Sequence, residues 1–66
     1  MPNNLHELAE MLAKRDEISY EEELEAIRYC GDALADAFMM GNLNYAEDIL
    51  REELGLEPDY LMLFIN

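Results

Sequence analysis

Four amino acids are missing from this chain altogether: valine, threonine, glutamine and tryptophan. Its β-branched residues are Ile18, Ile27, Ile49 and Ile65 alone. Strands are built from β-branched and aromatic side chains, so a sheet has little to form from. The single cysteine, Cys30, cannot close an internal disulfide, and a lone thiol fits a reducing, cytoplasmic setting. Basic residues are scarce: four against sixteen acids, a net charge of −12. Such a chain repels nucleic acid and anionic membranes and attracts basic surfaces. The longest apolar run, LMLFI near the C-terminus, falls far short of the roughly 20 residues that cross a bilayer. The N-terminal MPNNLHEL lacks the basic and apolar regions of a signal peptide. The expected location is the cytoplasm.

What is abundant favours helix: alanine, leucine, glutamate and methionine. A hydrophobic content of 52% at helical spacing is too high for a disordered acidic tail. The 66 residues form one domain, 1–66. A domain this small buries only about 60% of its unfolded surface, and its core supplies roughly 3–5 kcal/mol. A core and a deep catalytic pocket hardly fit together in it.

The periodicity predicts an all-α fold of three main helices plus a short C-terminal one. Asn4 caps the first helix, with Glu7 placed to complete a capping box. Leu5, Leu8, Ala9 and Leu12 form its apolar face. Lys14 and Arg15 complement its dipole before it ends near Arg15 or Asp16. Ser19 and Glu22 make a second capping box, opening a helix that runs to Met40. Its seam is Tyr20, Leu24, Ile27, Gly31, Leu34 and Phe38, widened by Ala26, Cys30, Ala33 and Ala37. Gly31 on that seam predicts either the close approach of another helix or a kink. Gly41 is a left-handed helix stop. Asn44 is expected to cap the third helix, with Leu43 as staple and Glu47 closing the box. Ala46, Ile49, Leu50 and Leu54 are its buried stripe, Gly55 ends it, and Leu56 packs behind that glycine. Pro58 starts a last short helix to about Phe64, with Tyr60, Leu61, Phe64 and Ile65 as its apolar content. Helices 2 and 3 are expected to form a central antiparallel hairpin, closed by helix 1 and the C-terminal helix.

Two resemblances accompany this pattern. Gly41, Leu43, Ala46, Leu50, Leu54 and Pro58 follow the spacing of a tetratricopeptide helix pair, and residues 34–60 resemble one such repeat. Cys30, Ala33, Leu34 and Ala37 depart from that family's first helix, and Glu53 replaces a usual alanine. The resemblance implies a helical hairpin. In size, charge and style the chain also resembles small acidic phage-encoded inhibitors, the anti-CRISPR and anti-restriction proteins that imitate nucleic acid. That likeness implies a non-enzymatic protein acting through its surface.

Elements of chemistry are sparse. The stretch GNLNYAED lacks the alternating oxygen ligands of a calcium loop, and its two acids fall inside a predicted helix. A phosphate loop needs more glycines and a lysine, and no lysine follows Lys14. His6 has no second histidine or cysteine nearby and reads as a solvated residue at a helix start. Cys30 lies among alanine and leucine and reads as a buried thiol with no base beside it. No Glu-x-x-His pairs mark a di-metal bundle. No catalytic residue, cofactor or metal is expected.

The acidic surface is the remaining candidate. On helix 2, Glu21, Glu25, Asp32 and Asp36 fall on one side, thickened by Glu22, and helix 3 adds Glu47, Asp48 and Glu52. Arg28 and Arg51 interrupt these rows and could form surface ion pairs. Tyr29 shares the acidic side, either as half-buried packing or as an aromatic anchor. A solvated face needs a net charge of only about 2–8 in so small a domain. Twelve uncompensated charges repel one another, and a basic partner would offset that repulsion. The expected partner is the basic surface of a nucleic-acid-binding protein, with no direct binding of nucleic acid. The alternative is an interaction module or homodimer that buries the apolar C-terminal helix.

Overall fold

The computed structural model describes residues 1–65. The fold is all-α: α1 (Leu5–Asp16), α2 (Tyr20–Met39), α3 (Leu43–Leu54) and a 3₁₀ helix (Pro58–Phe64), with no strand among the described residues. α2 pairs with α3 as the central hairpin, α1 packs on α2, and the 3₁₀ helix packs on α3. The long dimension of the molecule, 33 Å, follows from α2, whose 20 residues span about 30 Å.

Each α-helix starts on a side-chain cap. Asn4 accepts from the Glu7 amide at 2.9 Å. The Glu7 carboxylate in turn accepts from the amide of Asn3 rather than that of Asn4, so the box closes one residue early. Ser19 accepts from the Glu22 amide at 3.1 Å and donates to the Glu22 carboxylate at 3.2 Å. The third cap corrects the sequence expectation: Asn42, not Asn44, accepts from the Tyr45 amide at 3.0 Å. The reason lies in the turn before it. Gly41 takes φ +70°, its amide donates to Phe38, and the Asn42 amide donates to Ala37. This paired closure ends α2 and delivers Asn42 directly into the cap position. Leu43 thereby becomes the first residue of α3 and lies exposed instead of stapling.

The core is one cluster: Leu8, Ala9 and Leu12 from α1; Ile27, Cys30, Leu34 and Ala37 from α2; Ala46, Ile49, Leu50 and Leu54 from α3; then Leu56 and Leu61. The buried line of α2 is Glu23, Ile27, Cys30, Leu34 and Ala37. Tyr20, Leu24, Gly31 and Phe38, expected at the centre of the seam, flank it half-buried. α2 runs through Gly31 without a break, and a Cβ there would lie 3.8 Å from Phe64 Cδ2. The aromatic ring of the C-terminal segment is therefore what approaches this glycine.

That segment is 3₁₀ rather than α. Seven residues beginning on a proline offer too few bonds to repay nucleation of an α-helix. In the tighter helix, side chains three apart eclipse, which sets buried Leu61 in line with half-buried Phe64. Most of the apolar C-terminus is thus absorbed, leaving Met62 and Ile65 exposed.

Candidate protein-binding surface

The buried line of α2 places its opposite side in solvent. Glu21, Glu25, Asp32 and Asp36 lie on that exposed side, within about 60° of one another at ~100° per residue. Glu22 is exposed beside them. Tyr29 is 71% exposed among these acids, so it is not packing. Its ring stands in solvent on the acidic side of α2.

On α3, Asp48 and Glu52 are exposed and share a side with Tyr45. Glu47 departs from this set: it is half-buried and lies about 160° round the helix from Tyr45. Asp48 is also partly neutralised, since Arg51 Nη2 approaches its Oδ1 at 2.6 Å. Arg28 forms no ion pair among the described residues. On α2 the acids fall in two pairs, Glu21 with Glu25 and Asp32 with Asp36, and exposed Arg28 and Tyr29 lie between the pairs.

At the α2–α3 turn the surface changes character. Ala33, Asp36, Met39, Met40 and Tyr45 line an open cleft of about 430 Å³. Met39, Met40, Leu43 and Tyr45 are all exposed there. No motif of the sequence marks these four as a site. The available signal was two consecutive methionines running past the last seam residue, Phe38, directly before a helix stop.

The remaining candidates for chemistry are spoken for by the fold. Cys30 is fully buried, and its thiol is pushed up to about 11 by that burial, with the charge of Glu53 adding to the effect. A thiol so held is not a nucleophile near neutrality. His6 is largely exposed; its Nδ1 lies 2.6 Å from the Tyr20 hydroxyl and its Nε2 lies 3.6 Å from Glu10, joining the start of α1 to that of α2. Among the described residues no group of three His, Cys, Asp or Glu could hold a metal ion. No helix among them is long and apolar enough to cross a membrane.

One buried polar group stands apart. Glu23 is 4% exposed, and its Oε2 has no hydrogen-bond partner among the described residues. Burial raises its pKa, and a hydrogen bond to Asp16 together with the charge of Asp16 raises it further, against a smaller opposing pull from Arg15. Asp16 moves the other way, held low by its hydrogen bond to Arg15. This trio knits the end of α1 to the start of α2 and is structural.

Comparison with protein-family models, with curated proteins and with solved structures yields no match.

Proposed function

We propose that this chain is a non-enzymatic acidic interaction protein. It binds the basic surface of a nucleic-acid-binding partner and blocks it, as an anti-CRISPR or anti-restriction inhibitor does. The observation that supports this reading is the row Glu21, Glu25, Asp32 and Asp36 with exposed Tyr29 on the solvent side of α2. Within the pairs Glu21/Glu25 and Asp32/Asp36 the acids are one turn apart, about 6 Å, and about 10 Å separates one pair from the other, a row that lysine and arginine side chains can meet as they meet phosphates. Association through such a row is fast and weakened by salt. The carboxylates compete with nucleic acid for the same cations, so the chain acts by occupancy and needs no chemistry of its own.

The test is competition. Proteins retained from the source cell on the immobilised chain are released by a salt step, and each is assayed for nucleic-acid binding as the chain is titrated in. The expected result is loss of bound nucleic acid, with an affinity for the chain that falls steeply with salt. Reversing Glu21, Glu25, Asp32 and Asp36 to lysine abolishes both effects while the helical circular dichroism stays intact. A partner that holds nucleic acid and the chain together, or an affinity indifferent to salt, overturns the reading. The alternative interface, at the C-terminal segment, has Met62 and Ile65 as its large exposed apolar residues among those described. A salt-insensitive dimer lost on truncating both would favour it.

A further inference from the structure

The acidic row of α2 ends in an apolar cleft. Asp36 belongs to both, since it stands in the row and lines the cleft with Ala33, Met39, Met40 and Tyr45. Met39 is 87% exposed and Met40 67%, though a chain carrying −12 needs no apolar surface to remain soluble and gains nothing from one. Phosphate imitation has no use for it either: a strand of phosphates offers no counterpart to a methionine-lined recess. Methionine is flexible and polarisable, and it recurs where a surface must mould itself around an apolar side chain. The Tyr45 ring, 48% exposed, supplies a firmer wall.

Charge selects the occupant. A second copy of the chain brings another −12, and none of the four bases lines the cleft to receive Asp36. An anionic lipid surface is repelled for the same reason. A cationic segment with an apolar face satisfies both halves of the feature at once. We infer that the cleft seats a large apolar side chain from a basic amphipathic helix of the partner protein, while lysines or arginines flanking that side chain meet Asp36 and Asp32. This inference rests on the function proposed above and adds to it a hydrophobic anchor. Charge then brings the partner in, and the cleft sets which cationic segment stays.

Two synthetic peptides of about five helical turns, with equal numbers of lysines, test this. One is a lysine–leucine amphipathic helix carrying one tryptophan on its apolar face; in the other, serines replace the leucines. Binding is read by tryptophan fluorescence and by amide shifts at Ala33, Met40 and Tyr45. The expected result is an affinity roughly tenfold higher for the amphipathic peptide. The double variant Met40→Ser, Tyr45→Ser removes that advantage and leaves the lysine–serine peptide unaffected. Both side chains are exposed, so the variant keeps its fold, which circular dichroism checks. Equal affinities for the two peptides overturn the anchor and leave the charge-driven function standing. If neither peptide binds, the charge-driven function falls as well. An advantage that survives the double variant, or sedimentation showing a dimer of the free chain that dissociates in that variant, also overturns the inference.

Discussion

The Arg15 guanidinium, at the end of α1, donates from Nη2 to the carbonyl of Leu54 at 2.8 Å and so caps the end of α3 from a different helix. Nη1 reaches the Gly55 carbonyl at 3.4 Å, while Nε and Nη2 donate to Asp16 at 2.8 and 3.1 Å. The last carbonyls of a helix have no partner within it and carry its negative dipole end. Arg15 supplies both the donor and the charge. One side chain therefore joins three helix ends: α1 directly, α3 through Leu54, and α2 through Asp16, which lies beside Glu23.

Replacing Arg15 by alanine is expected to destabilise the fold by about 1 kcal/mol, less than the roughly 1.5–3 kcal/mol of a hydrogen bond to a charged group, because solvent screens the partly exposed guanidinium. In a domain of this size that lowers the melting midpoint by roughly 4–8 °C. Arg15→Lys recovers only part of the loss, because an ammonium cannot serve Leu54 and Asp16 with one planar fork. Full recovery by lysine in thermal melts would reduce the role of Arg15 to its charge.

Glu23 makes stability depend on pH in a direction opposite to most carboxylates. Its folded pKa is raised from the usual 4.5 by burial and by Asp16. The native state then holds the proton more tightly than the unfolded chain does. Its contribution is present in full below the unfolded value and is lost as pH rises through the raised folded value. Asp16, lowered by Arg15, contributes above the ordinary carboxylate range and loses that contribution as pH falls through its own lowered value. Glu23→Gln keeps the shape and a donor for Asp16 and removes the ionisation. It is expected to raise the melting midpoint at pH 8 and to raise it less at pH 4, which melts at the two pH values check. An equal shift at both would show that folding leaves the Glu23 pKa where it stands in the unfolded chain.

Much of this architecture can be read before any coordinates. Leu8, Ala9 and Leu12, and Ala46, Ile49, Leu50 and Leu54, repeat at helical spacing, and the fold buries all of them. What could not be read depends on phase and on backbone dihedrals. Glu21, Glu22 and Glu23 are chemically identical neighbours, and only the angle at which α2 meets α1 selects Glu23 for burial. Asn42 and Asn44 are equally good caps; the left-handed Gly41 decides between them. The same turn geometry turns Met39, Met40 and Leu43 outward, and for that reason the cleft was not legible in the apolar pattern.

Gly31 offers a stabilising substitution. An added Cβ would stand 3.8 Å from Phe64 Cδ2, an ordinary van der Waals contact. Gly31→Ala removes the entropy that glycine loses in a helix interior and is expected to stabilise by about 0.5–1 kcal/mol. Gly31→Leu must displace the Phe64 ring and is expected to destabilise by about 1–3 kcal/mol. Denaturant titration of both variants checks the pair. Destabilisation by alanine would mean that Phe64 packs against Gly31 more closely than this distance allows.

Glu17 closes α1 in the left-handed region at φ 57°, a conformation held elsewhere in this chain only by Gly41 and Gly55 among the described residues. Its amide donates to Ala13, so the position performs a glycine's task at the helix end with a side chain that disfavours it. Glu17→Gly relieves that strain and also removes one of sixteen acidic charges. The two effects separate by comparison with Glu17→Ala, which removes the same charge and keeps a Cβ in the left-handed backbone. Glycine is expected to exceed alanine in stability by about 0.5–1 kcal/mol, measured by urea titration at fixed pH and salt. The charge effect, common to both variants, shrinks as salt is added, whereas the difference between them does not. A glycine advantage that vanishes at high salt would assign it to electrostatics and remove the case for backbone strain at Glu17.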